Sequence, residues 1–257
     1  MIRWMGNVRQ VVSRLARAGC GLLFPPQCVC CDCEIPAVDG QSMLCVECLA
    51  RLGPATWNGC RRCGGQIRES ESSSERCPRC KHARLQFDAA VTLGSYHAGL
   101  RAVVLHMKRP SHEPLSLAMG SLLAQRRREQ LLEQQPDLII PIPMFWMRRL
   151  GRGVNSPDIV ARCLGQSLGR PVRRDILVRR RNTLPQARLS PTRRVENVRG
   201  AFRIRRGQLL QDARVLLVDD ILTTGATCSE AAKMLKRAGA ATVAVAVIAR
   251  VEGHRQR

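Results

Sequence analysis

The sequence predicts an α/β chain: a mostly parallel sheet covered by helices on both faces, preceded by a small cysteine-rich module. Three observations carry this. Near-continuous apolar runs such as "DLIIPIP", "RVLLVD" and "ATVAVAVIAR" alternate with segments of helical periodicity, the pattern of strands buried on both faces. Eleven of the thirteen cysteines fall before residue 81, so the two ends of the chain differ in kind. Finally, 257 residues, 45% of them apolar, suffice for one good-sized core or two domains.

The cysteine-rich part contains an internal repeat. Cys28-x2-Cys31 is followed after thirteen residues by Cys45-x2-Cys48, and Cys60-x2-Cys63 after thirteen residues by Cys77-x2-Cys80. Two thiolates two residues apart suit a knuckle that offers two sulfurs to tetrahedral zinc, and a second knuckle completes an all-thiolate site. Two structural zinc ions are therefore expected, held by Cys28, Cys31, Cys45 and Cys48 and by Cys60, Cys63, Cys77 and Cys80. Cys30 and Cys33 offer a competing register in "CVCCDC", but only Cys28 and Cys31 reproduce the spacer. Gly64 and Gly65 supply the tight backbone such a knuckle wants. Segments this poor in apolar residues would gain folding free energy from the metal itself. Disulfides are disfavoured by the spacing and by the absence of a secretory signal. His82 reads as a solvated neighbour of Cys80, and Cys20, Cys30, Cys33, Cys163 and Cys228 as packed thiols. "ESESSSER", residues 69–76, reads as an exposed loop.

The elements follow in order. Ile2, Met5, Val8, Val12 and Leu15 recur at helical spacing among arginines, which predicts an amphipathic helix within residues 1–27 packed on its own domain. "FDAAVTLGSYH" reads as a strand and "LRAVVLHMK" as a helix. "PLSLAMGSLLAQRRREQLLEQQ" reads as one long amphipathic helix stopped before Pro136. "SPDIVARCLGQSLG" is a helix with Ser156 as N-cap, Pro157 in the first turn and a glycine end. "AFRI", "RVLLVD" and "ATVAVAVIAR" are strands, the last two bracketing a helix from Thr227 to Ala238. The domain boundaries are then 1–27, 28–82 and 84–252. No apolar run reaches the roughly 18 residues of a membrane span, and a cytoplasmic location is expected.

"VLLVDDILTTGATCSEAAKML" is the least ordinary stretch. Two adjacent carboxylates repel each other and neither is easily buried, so folding alone does not account for them. At the carboxyl end of a parallel strand they face the crevice where α/β sheets bind ligands. The amides from Thr223 to Thr227 converge on a helix N-terminus, which favours a phosphate, and Gly225 permits close approach. Asp219 and Asp220 suit the paired hydroxyls of a ribose. A sugar carrying a phosphate satisfies the whole pattern. A Walker A loop is excluded because no Gly-Lys-Ser/Thr follows.

This stretch resembles the phosphoribosyl-pyrophosphate (PRPP) signature of type I phosphoribosyltransferases. With "FPPQC" and the cysteine pairs, "PIP…RRLGRGVN" and "RNTLPQARL…RRVENVRGAF", the chain resembles the ComF (competence protein F) family over roughly residues 20–250. The resemblance implies a double zinc ribbon joined to a type I phosphoribosyltransferase-like parallel sheet flanked by helices. It implies that Asp219 and Asp220 hold the ribose hydroxyls, that Thr223, Thr224, Gly225, Ala226 and Thr227 hold the 5-phosphate of PRPP or ribose 5-phosphate, and that Mg²⁺ accompanies PRPP. The pyrophosphate loop of that superfamily matches Pro141 to Arg149, with Lys108, Arg148, Arg149 and Arg152 as the basic residues that could neutralise the diphosphate. This chain carries Val154 and Ser156 where family members usually have Phe and Gln.

Three functions fit. One is transfer of phosphoribosyl to a nitrogen acceptor, for which no general base or nucleobase hood is recognisable. The second is non-catalytic handling of nucleic acid, such as single-stranded DNA, alongside DNA-uptake machinery. The third is PRPP sensing. Lys and Arg number 42 against 20 Asp and Glu, a formal charge of +22 that attracts polyanions. An aromatic content of 3% argues against a base-stacking platform.

Overall fold

The computed structural model describes residues 25–35, 43–67, 77–78, 80–81, 83–147, 153–184 and 189–252. The expected N-terminal helix lies outside them up to residue 24, as do Cys20, the 69–76 segment, His82, Arg148, Arg149 and Arg152.

The order is α1 (Val46–Leu52), β1 (Ala89–Ser95), α2 (Ala98–His106), α3 (Glu113–Arg126), α4 (Arg128–Glu133), β2 (Leu138–Pro141), α5 (Ser156–Leu168), β3 (Leu177–Arg179), α6 (Pro191–Val198), β4 (Phe202–Ile204), β5 (Arg214–Leu222), α7 (Ala226–Arg237) and β6 (Thr242–Arg250). Four strands form a sheet in the order β1-β6-β5-β2, parallel throughout. Each is an apolar run because each is covered on both faces. On one face Leu216, Val218 and Ala246 meet Met119, Leu123, Val160 and Leu164 of α3 and α5. On the other, Val215, Leu217 and Val245 meet Cys228, Ala231 and Leu235 of α7.

Three expectations change in detail. "AFRI" is a strand, but it pairs antiparallel with β3 in a separate two-stranded sheet. The long helix breaks at Arg127, whose backbone leaves helical geometry (φ −121°, ψ 22°). That guanidinium is buried and donates to the carbonyls of Thr92, Leu93, Pro54, Ala55 and Arg126, bonds that offset its desolvation. Ser156 is the first residue of α5 rather than its cap: its hydroxyl donates to Met107 O at 2.8 Å, and Asn155 takes the cap position. The expected glycine end holds, with Gly169 in the left-handed conformation.

The cysteine repeat is a repeat of structure as well. In the first knuckle Cys28 N donates to Cys33 O and Asp32 N to Cys28 O; in the second, Cys60 N donates to Gly65 O and Gly64 N to Cys60 O. Asp32 and Gly64 occupy the same left-handed position, at φ 60° and 69°. Only the second copy uses the residue best suited to it.

Candidate functional site

Asp219 and Asp220 lie within β5, which continues to Leu222. The pleat of a strand sends successive side chains to opposite faces. Asp219 points toward α7, where its Oδ2 accepts from the Cys228 thiol at 3.8 Å and its Oδ1 from the Asp220 amide at 2.9 Å. Asp220 points the other way, toward Lys108, whose Nζ lies 3.3 Å from its Oδ2. Burial, and then the neighbouring Asp220 carboxylate, push Asp219 up to about 8. Attraction to Asp220 raises the Lys108 ammonium against the opposing effect of its burial. The like-charge neighbours are thus separated by the pleat, and each has its own partner.

Lys108 is held by what precedes it. Met107 is fully buried and its carbonyl receives the Ser156 hydroxyl, so the lysine emerges from a fixed turn between α2 and the short 3-10 segment Pro110–His112. Ser156, one of the departures from the family pattern, is therefore tied to the site through Met107. Of the four basic residues expected near a diphosphate, Lys108 is the one within the described residues, and it lies at the carboxylate pair.

After β5 the chain turns through Thr223 and Thr224 to Gly225, the N-cap of α7, in the left-handed conformation (φ 81°). The Thr224 hydroxyl accepts from Ala226 N at 3.4 Å. Glycine is required here from beneath the loop. A Cβ would come within 3.0 Å of Leu85 Cδ2 and 3.4 Å of the Phe87 ring, besides straining the backbone. The expected reason, clearance for a phosphate above, is not the constraint these contacts describe.

Sequence reading missed Arg250, at the end of β6. Its guanidinium donates to the carbonyls of Leu222 at 3.0 Å, Val251 at 2.6 Å, Thr223 and Cys63 (2.9 Å from Nε). The available signal was a lone arginine closing an apolar strand, "TVAVAVIAR".

Two groups of four thiols could each hold a metal ion: Cys28, Cys31, Cys45 and Cys48, and Cys60, Cys63, Cys77 and Cys80, with the sulfurs of each group within 4.8 Å of one another. These are the eight thiols that the spacing picks out; Cys30 and Cys33 are not members of the first group, and Cys33 Sγ lies 3.4 Å from Cys31 Sγ. The donor set fits zinc, being all sulfur with amide donors aimed at it: Cys45 N to Cys28 Sγ and Cys48 N to Cys45 Sγ, both 3.4 Å. A hydrogen bond from Cys63 draws the Cys60 thiol down to about 4, while the same bond pushes the Cys63 thiol up and burial raises Cys80 to about 11, so one proton is shared unequally within the group. Among the described residues no cysteine is disulfide-bonded, and no helix is long and apolar enough to cross a membrane.

The chain is similar to known proteins over most of its length. The family model for the phosphoribosyl transferase domain matches residues 111–257. The DNA utilization protein YhgH of Salmonella typhimurium is 31% identical over 217 residues, covering 79% of this chain and 94% of its own. Competence protein F of Haemophilus influenzae is 28% identical over 220 residues, covering 80% and 96%. Among solved structures, adenine phosphoribosyltransferase from Leishmania tarentolae aligns with 63% of this chain and 91% of its own at 15% identity and a TM-score of 0.37. With its parallel sheet, its two four-cysteine groups and these relatives, the chain belongs to the family of phosphoribosyltransferase-domain proteins that includes competence protein F and YhgH.

Proposed function

We propose that this chain binds PRPP at the carboxyl edge of the sheet and transfers its phosphoribosyl group to a nitrogen acceptor, releasing pyrophosphate. One observation carries the reading: a carboxylate pair on β5 leads directly into a left-handed glycine and the N-terminus of α7. In this reading Asp219 and Asp220 accept hydrogen bonds from the ribose hydroxyls. The amides and hydroxyls of Thr223 to Thr227 hold the 5-phosphate at the positive end of the helix. Lys108, 3.3 Å from Asp220, exchanges that carboxylate for the departing diphosphate. Arg148, Arg149 and Arg152, which follow β2 in sequence, add charge.

Positioning and electrostatics supply the rate, because positive charge develops at the anomeric carbon as the diphosphate leaves. Mg²⁺ arriving with PRPP would supply charge neutralisation of the diphosphate, beside Lys108. Zinc at the two cysteine groups supplies folding free energy rather than chemistry. The test is equilibrium binding of PRPP with Mg²⁺, followed by pyrophosphate release against a panel of nucleobases and amines. Release with one acceptor supports transfer. Tight binding without release from any acceptor leaves a PRPP sensor instead.

A second reading is supported by the net charge of +22 and by relatives named for DNA utilization and competence. A surface so rich in arginine would bind single-stranded DNA with steep salt dependence and little sequence preference. A mobility-shift titration at two salt concentrations tests it, and absence of binding at low salt removes it.

A further inference from the structure

The second cysteine knuckle does more than fold itself. Each of Arg61, Arg62 and Cys63 is tied to the sheet domain. Arg61 O accepts from Ala90 N of the edge strand β1 at 2.9 Å. Arg62 Nη2 donates to Leu85 O at 2.7 Å, and its guanidinium lies 5.6 Å from the centre of the Phe87 ring. Leu85 and Phe87 are the side chains packed under Gly225. Cys63 O accepts from Arg250, which also holds the carbonyls of Leu222 and Thr223 where β5 enters the ligand loop. A further link, Gln66 N to Glu252 Oε1 at 2.9 Å, fastens the ribbon just past β6.

One planar guanidinium thus bonds at once to a metal-ligating residue and to the first residue of the loop. Its fork of donors spans the two without a flexible joint. The path from the Cys60–Cys63–Cys77–Cys80 group to Thr223 is one side chain long. The first cysteine group packs against α3 and the opposite part of the core.

We propose that Arg250 is a positioning residue that couples the second four-cysteine group to the loop before α7, so that metal held there sets the shape and affinity of the phosphate cradle. The coupling to affinity rests on the PRPP reading above; the coupling to loop order does not. Loss of the metal lets the Cys63 carbonyl move, Arg250 follows it, and the Leu222 and Thr223 carbonyls lose their shared donor. The Thr223–Thr227 amides then no longer converge.

The test is a double-mutant cycle of Arg250→Met and Cys77→Ser in the full chain, read by zinc content, by amide hydrogen exchange over residues 221–228 and by calorimetric affinity for ribose 5-phosphate. Arg250→Met is expected to keep the wild-type zinc content and a cooperative melt, while loop exchange speeds up about tenfold and affinity falls about tenfold, the loss expected from one hydrogen-bonded charged group. Cys77→Ser should lose one zinc and loosen the same amides. The double variant should show less than the product of the two single effects. Wild-type loop exchange in Arg250→Met, or a double variant equal to the product, overturns the coupling. If wild-type protein binds no ribose 5-phosphate, the PRPP reading falls and the exchange data alone decide. If Arg250→Met does not fold, Arg250→Lys keeps the charge without the fork: loop exchange about threefold faster supports the coupling, and wild-type exchange overturns it.

Discussion

The two cysteine groups share spacing, knuckle hydrogen bonds and a left-handed fourth position, yet they join the molecule by different physics. Cys28 and Cys48 are buried in the main core with Leu44 and Leu52, against Leu122 and Val91. Cys60, Cys63, Cys77 and Cys80 form a small cluster of their own, with Ile67 and Leu85 packed beside it, and reach the sheet through hydrogen bonds. The first copy is cemented by apolar burial; the second is braced by directional polar contacts. A duplicated motif can therefore be a wall of the core in one copy and a strut to the loop before α7 in the other.

The largest effect should come from the first group. With zinc held as proposed, Cys48→Ser would remove a ligand inside the core and leave a polar atom there, so about 5 kcal/mol or more of a typical 5–15 kcal/mol stability should be lost. Thermal unfolding should show a chain that no longer melts cooperatively near the wild-type temperature. Cys60→Ser should also release one zinc if the second group holds it as proposed, but its apolar cluster is small, and a loss of about 2 kcal/mol is expected with exchange confined to the ribbon and residues 221–228. Equal losses for the two substitutions would erase the distinction. Cys163→Ser, buried between α3 and α5 and outside both groups, should release no metal.

The carboxylates permit a finer split. Folding raises Asp219 from 3.8 to about 8. The folded chain therefore keeps a proton that the unfolded chain has released across that interval, and stability declines as pH rises through it. Asp219→Asn removes that slope and should raise the melting temperature at pH 8 while changing little at pH 4. Asp220→Asn instead leaves Lys108 without its counter-ion, and about 1 kcal/mol of stability should be lost at neutral pH. Melting curves of both variants at pH 4, 6 and 8 check the sign of each.

The parallel sheet, the cysteine register and the β5–α7 loop were legible because each is written locally: apolar runs, a fixed spacer, Asp-Asp before Thr-Thr-Gly. What was illegible depends on partners distant in sequence. The break at Arg127 follows from carbonyls contributed by Pro54 and Thr92. Ser156 was expected to cap its own helix, but Met107 offered it a buried acceptor. Lys108 was placed near a diphosphate without any sign that Asp220 would hold it. Arg250 looked like the polar end of a strand because its acceptors, Cys63 and Thr223, lie 187 and 27 residues away.

The ligand reading meets its most direct test in calorimetric titration of ribose 5-phosphate into wild-type, Asp219→Asn and Asp220→Asn protein at equal pH and salt. The wild type should bind. Above pH 8, where Asp219 as well as Asp220 carries its charge, each substitution should weaken binding about ten- to a hundredfold, the roughly 1.5–3 kcal/mol of a hydrogen bond to a charged acceptor, with the melting curves confirming that both variants remain folded. Wild-type protein that takes up no ribose 5-phosphate, or two folded variants that bind it as tightly as wild type, would contradict a ribose-phosphate site at the end of β5.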